Sequence, residues 1–179
     1  MVLVLRRGII GPVSEWFLTY GLARVQRDLL VGAMPSDRSD VEMLRRFGVR
    51  RILNLVEDDE YVLADSRQQV VAALADAGIQ EHRVNVVDFG HLSPAAIDEA
   101  VTTVTGWLAQ TPAERTYVHC RAGWQRSAVV AAGVIAITEN LEIDDALAEL
   151  SERKPTADPL PHQREDLRTW WDARSAGAA

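Results

Sequence analysis

One stretch constrains this chain more than any other: His119-Cys120-Arg121-Ala122-Gly123-Trp124-Gln125-Arg126-Ser127, which holds the only cysteine, with an arginine six residues after it. An apolar, strand-like run (Tyr117, Val118) precedes it, and a helical run of small apolar residues (Ala128 to Ile137) follows. A loop that leaves a strand and enters a helix can turn its backbone N–H groups onto one anion, and the helix N-terminus adds partial positive charge. Gly123 permits the tight bend this needs. Arg126 offers a planar fork that can hold two oxygens at once. A cysteine in such a positive bowl ionises readily. The layout is that of a nucleophile, Cys120, beneath a bound phosphate.

The same residues resemble the His-Cys-x5-Arg-Ser/Thr signature of the protein tyrosine phosphatase superfamily, and specifically its dual-specificity branch. The resemblance implies attack on phosphorus by cysteine, a phosphocysteine intermediate, and its hydrolysis, without a cofactor or metal. Cys120 then matches the nucleophile and Arg126 the phosphate-binding arginine. Ser127 matches the hydroxyl that helps the thiolate leave, and His119 the residue supporting the cysteine from behind. Arg121, Ala122, Gly123, Trp124 and Gln125 form the rest of the phosphate-binding loop. Leu30-Val31-Gly32-Ala33-Met34-Pro35, Gly48-Val49 and Leu53-Asn54-Leu55 look like the family's opening strand–helix–strand. The match extends over most of residues 28–170. Gly-Ala-x-Pro together with Leu-x-Glu is similar to the mitochondrial-type branch, whose substrates include phosphatidylglycerophosphate. Trp124 departs from the lipid-phosphatase pattern, which often has a second basic residue there, although Arg121 keeps one extra positive contact.

A length of 179 residues suffices for one catalytic domain with a real core. One cysteine excludes an internal disulfide and fits a reducing compartment, here read as the cytoplasm. The four histidines lack zinc-ligand spacing. A net charge of −7 argues against a nucleic-acid or anionic-membrane binder. Lys154 is the only lysine among 19 Lys and Arg residues, a bias read as that of a GC-rich bacterial genome. No apolar run reaches the roughly 18–20 residues that span a bilayer, and Val2–Leu5 is too short for a signal peptide. The sequence is silent on oligomeric state.

Strand-like and helical segments alternate along the chain. Strands are expected at Asp28–Ala33, Arg51–Val56, His82–Val87 and Thr116–His119. Helices are expected at Ser39–Phe47 (capped by Ser39 or Asp40 and stopped at Gly48), Leu63–Ala77, and from Pro94 onward, then after the cysteine loop, at Ile143–Glu152 and at Pro161–Ala173. Alternation of this kind predicts an α/β fold, a three-layer sandwich with a mostly parallel sheet flanked by helices, as in the protein tyrosine phosphatases. Residues 1–27 are expected to be a segment packed on the domain, 28–174 the catalytic domain, and 175–179 a disordered tail. Sites in such folds lie beyond the carboxyl ends of the strands, where both Cys120 and Asp88 fall.

Departure of an alkoxide or phenolate needs a proton donor. The family places an aspartate on a mobile loop about thirty residues before the cysteine, and Asp88 stands 32 positions before it, followed by Phe89-Gly90-His91. Asp58, Asp59, Asp98 and His91 are the rivals. The acidic run Glu57-Asp58-Asp59-Glu60 reads as a loop. Arg45-Arg46 and Arg50-Arg51 read as a solvated helix end and strand edge. Trp124 either stacks on a substrate or packs against a neighbouring loop. The expected activity is hydrolysis of phosphomonoesters, above all protein phosphotyrosine, phosphoserine or phosphothreonine. A phospholipid phosphatase is the alternative. Two other classes compete: a rhodanese-type sulfurtransferase, whose loop is typically one residue shorter, and a phosphate-binding module without catalysis.

Overall fold

The computed structural model describes residues 2–3, 13–61, 66–110 and 113–177. Six strands form one sheet in the order β1-β2-β3-β6-β4-β5. β1 (Val2–Leu3), β2 (Leu22–Arg24) and β3 (Leu29–Gly32) pair antiparallel, whereas β3, β6 (Arg115–His119), β4 (Val49–Asn54) and β5 (Gln80–Arg83) run parallel. The segment 1–27, expected to pack on the domain, contributes β1 and β2 to this sheet, together with helix α1 (Glu15–Tyr20).

The inner strands are buried because both faces are covered: β3 throughout, Ile52 and Leu53 in β4, Tyr117 and Val118 in β6, whereas the edge strand β5 is polar. Side chains alternate between two cores. Leu29, Val31, Leu53 and Val118 face α4 (Pro94–Gln110), α5 (Arg126–Glu139), α6 (Ile143–Arg153) and α7 (Pro161–Gly177). Leu30, Ile52 and Tyr117 face α1, α2 (Arg38–Arg46) and α3 (Ser66–Ala77). Helix α5 is buried along Arg126–Ala136. Its run of Ala, Val and Gly lets strands and helices close in on every side, so it lacks the polar stripe of a surface helix.

Several boundaries differ from expectation. β4 begins two residues early and ends at Asn54, whose side chain accepts the Val56 N–H at 2.8 Å and turns the chain out of the sheet. β5 likewise ends at Arg83, and residues 84–87 lie outside any strand, although Val84 and Val86 still donate their N–H groups to the Asn54 and Leu55 carbonyls. The cap of α2 is Asp37, which accepts the N–H groups of Ser39 and Asp40, rather than Ser39 or Asp40. Asp40 instead ties α1 to α2, because its buried carboxylate takes four hydrogen bonds, from the N–H and hydroxyl of Ser14 and of Ser36. Helix α7 continues to Gly177, into the expected tail. The first turn expected for α3, Leu63–Asp65, lies outside the described residues.

Candidate active site

Four parallel strands deliver the site from their carboxyl ends. Met34 after β3 donates its N–H to the Arg121 carbonyl (3.0 Å), and Leu55 after β4 donates to the His119 carbonyl (3.0 Å), so neighbouring strands brace the loop that follows β6. Gly123 has φ 77°, and a Cβ there would overlap the backbone of Gly32. The loop therefore requires glycine on both counts. Its far end is fixed by the Asp158 N–H, which donates to the Trp124 carbonyl at 2.8 Å.

Cys120 lies at the base of a pocket of about 340 Å³, 3% exposed, with its Sγ 3.3 Å from the Ser127 hydroxyl. His119 is buried behind it, stacked on Tyr117, with Nδ1 3.2 Å from the Cys120 carbonyl. Burial above all pulls its imidazole down to about 4, so the ring is neutral and donates to that carbonyl. Lys154 is equally hidden: burial lowers its ammonium to about 8, the charge of Cys120 opposing that shift. Its Nζ donates to the Thr156 hydroxyl.

Arg126 is wholly buried, and each edge of its guanidinium has a different duty. Glu60 grips the end of the fork, Oε1 to Nη1 at 2.6 Å and Oε2 to Nη2 at 2.7 Å. Nη1 also donates to the carbonyls of Val86 (2.7 Å) and Leu55 (3.2 Å). The side edge, Nε and Nη2, is where a second bidentate oxyanion fits. There Asp88 Oδ1 sits 2.7 Å from Nη2, while Nε has no partner among the described residues. Glu60 is a functional residue that the sequence did not single out, since Glu57–Glu60 reads there as an acidic loop. In the structure Asp58–Glu60 form a turn of 3₁₀ helix, and Glu60 is 8% exposed. The available signal was an acidic run directly beyond a buried strand, where a carboxylate needs a cation.

Asp88 reaches the pocket together with Cys120, and Phe89, 65% exposed, stands beside it. The rival acids are elsewhere. Asp58 pairs with Arg83, Asp98 accepts the Trp170 indole N–H, and His91 bonds to Asp166. Asp59 is absent from the pocket lining. Beside Arg121, Ala122 and Gln125, the rest of the pocket wall is formed by aromatic side chains, two of them from α1, unforeseen in the sequence. Trp16 and Tyr20 lie tilted against each other with ring centroids 4.3 Å apart, Tyr20 meets Trp124 edge-on at 5.4 Å, and the Arg121 guanidinium lies 5.8 Å over Trp16. Trp124 packs edge-on against Tyr20 of α1 and lines the pocket. Arg45 and Arg46 pair with Glu42 on the α2 surface, as a solvated helix end should. Among the described residues no cluster of His, Cys, Asp or Glu could hold a metal, and no helix is long and apolar enough to cross a membrane.

No family model matches the chain. It is 24% identical to the mouse (Mus musculus) phosphatidylglycerophosphatase and protein-tyrosine phosphatase 1, over 98% of this chain and 87% of that one. It is 23% identical to the putative tyrosine phosphatase 197R of Invertebrate iridescent virus 6, over 70% of this chain and 45% of the viral protein. Among solved structures, PTPMT1 in complex with PI(5)P superposes with a TM-score of 0.75 at 23% identity, covering 88% of this chain and 99% of that one. The G95A form of Tk-PTP gives 0.74 at 21% identity, with coverage of 87% and 97%. The chain shares the fold of these phosphatases and, over nearly its whole length, is similar in sequence to the mouse phosphatidylglycerophosphatase and protein-tyrosine phosphatase 1.

Proposed function

We propose that the chain hydrolyses phosphate monoesters through a phosphocysteine at Cys120. The observation that carries this is that Cys120 and Asp88 line one pocket, with the Ser127 hydroxyl 3.3 Å from the Cys120 sulfur and Arg126 Nη2 2.7 Å from Asp88, the Arg126 side edge being the one that would take a phosphate. Phosphate on that edge takes the place of the Asp88 carboxylate and leaves it beside the ester oxygen. The Cys120 thiolate attacks phosphorus, the P–O ester bond breaks, and Asp88, protonated, gives its proton to the departing oxygen. Backbone N–H groups of 121–126 and Arg126 hold the charge on the equatorial oxygens. In the second step Asp88 takes a proton from water as the water attacks phosphorus. The S–P bond breaks, and the Ser127 hydroxyl donates a hydrogen bond to the leaving thiolate.

Among esters we favour protein phosphotyrosine, phosphoserine and phosphothreonine. Trp16, Tyr20, Phe89 and Trp124 suit a flat or apolar body, and Arg121 is the single basic side chain added to the wall. The second reading is a phospholipid headgroup, favoured by the full-length likeness to a protein named for phosphatidylglycerophosphate. A five-residue loop interior, 121–125, suits tetrahedral phosphate better than the shorter sulfurtransferase loop. The unpaired thiol fits the reducing cytoplasm.

The test is hydrolysis of para-nitrophenyl phosphate by the wild type and by Cys120→Ser. Activity that vanishes in the variant, survives EDTA and is blocked by vanadate supports the reading. Activity that persists in Cys120→Ser, or full loss on chelation, overturns it. A panel of phosphopeptides, phosphoinositides and phosphatidylglycerophosphate then separates the two substrate classes.

A further inference from the structure

Beyond the pocket, one short stretch of chain touches both of its loops. Asp158, in the connection from α6 to α7, holds the thiol loop through the Trp124 carbonyl at 2.8 Å. A few residues on, the first turns of α7 grip the loop that carries Asp88. His162 Nε2 donates to the carbonyls of Phe89 (3.1 Å) and Gly90 (3.3 Å), and Gln163 Nε2 donates to Gly90 (3.0 Å). The Asp166 carboxylate accepts the Leu92 N–H at 2.9 Å and the His91 imidazole at 2.9 Å. We propose that residues 158–166 are a clamp that sets the spacing of Asp88 over Cys120, with His162, Gln163 and Asp166 as positioning residues. The proposal rests on the reading of Asp88 as the proton donor.

The acid loop needs such a clamp. Phe89 adopts φ 58°, a left-handed conformation that a side chain with a Cβ resists. Its ring is mostly exposed, so packing does little to hold it there. A strained residue of this kind persists only where the surroundings over-determine it. Here the hydrogen bonds to the two carbonyls at the bend, from His162 and Gln163, do so. Gln163 is fully buried, and its Oε1 accepts the Leu160 N–H (3.2 Å), so its amide is oriented before it meets the loop. Further along α7, Leu167 and Trp170 are buried in the core that also holds α5. The acid loop is thus referred to the same rigid body as the thiol loop. A shift of even one ångström between donor and leaving oxygen is expensive in rate.

The clamp is tested with His162→Ala/Asp166→Ala, which changes two side chains at the surface end of α7, and with His162→Gln, which keeps an N–H donor. The clamp predicts that kcat on an alkyl phosphate falls by about tenfold or more, while para-nitrophenyl phosphate, whose leaving group needs little protonation, loses less than about threefold. KM, vanadate affinity and the alkylation rate of Cys120 should stay near wild type, and His162→Gln should recover much of the loss. In an Asp88→Asn background the same changes should cost almost nothing more, because the group they position is gone. Equal slowing on both esters, or full additivity with Asp88→Asn, overturns the clamp while leaving the acid intact. If Asp88→Asn alone shows no dependence on the leaving group, the acid reading fails and the clamp fails with it.

Discussion

The thiol loop and the acid loop both lie beyond the carboxyl ends of parallel strands, yet they are held in opposite ways. The thiol loop is short, continuous with β6 and α5, and braced by backbone bonds from β3 and β4. Its left-handed residue is a glycine pressed on a second glycine. The acid loop follows β5 at a distance, exposes Phe89, and carries its left-handed strain on a residue with a large side chain. What holds it comes from α7, with partners 72–75 positions away in the chain. A part that must bind the same phosphate through every step is built rigid. The part that carries Asp88 is held instead by side-chain hydrogen bonds from one distant helix.

The most severe way to break this contrast is Gly123→Ala. A methyl group there meets the Gly32 backbone in a conformation that alanine resists, so activity should fall below detection, with vanadate binding lost as well. Near-normal activity would mean the loop is not the rigid partner. Next comes Asp88→Asn, expected to remove on the order of 10²–10⁴-fold of the rate on an alkyl phosphate. The loss should shrink on para-nitrophenyl phosphate, and the high-pH limb of the rate profile should flatten. Equal loss on both esters would make Asp88 a structural residue.

Arg126→Lys keeps the charge and loses the fork, and should cost about a hundredfold or more in kcat. Glu60→Gln leaves the guanidinium with a weaker grip on its end edge. It should slow turnover by about tenfold on alkyl and aryl esters alike, since it orients phosphate and not the proton. Selective loss on the alkyl ester would transfer Glu60 to the acid side of the contrast.

The smallest effect concerns the support behind the thiol. His119 is neutral when buried, its imidazole lowered from 6.5 to about 4. The unfolded chain therefore binds a proton that the folded one refuses. The stabilisation is full above about pH 6.5 and is lost as pH falls toward 4, a contribution on the order of 3 kcal/mol. Urea midpoints measured between pH 7.5 and 4.5 should fall with acid, and His119→Asn should flatten that slope. An unchanged slope would show that acid instability comes from other groups.

How much of this was legible in the sequence follows the same divide. Cys120, Arg126, Ser127, Gly123 and His119 are neighbours in the chain, and their spacing on a strand–loop–helix already implies a phosphate cradle. The parallel sheet was legible because strand-like and helical segments alternate along the chain. Strand ends were less so: β4 stops where the Asn54 side chain caps the backbone, a contact no periodicity records. Asp88 stands out only through the family resemblance, which implies an acid about thirty residues before the cysteine, and its pairing with Arg126 was not visible.

By itself, the sequence determined the strand–loop–helix around Cys120 and the layering, since hydrophobic period and local backbone geometry act between near neighbours. Tertiary structure alone decided that Glu60 grips Arg126, that Trp16 and Tyr20 of α1 wall the pocket, and that α7 holds the acid loop. Each of these joins residues far apart in the chain. A buried charge or a bare carbonyl at such a place is tolerable only with a partner, and which distant side chain supplies it is settled when the sheet and its helices pack.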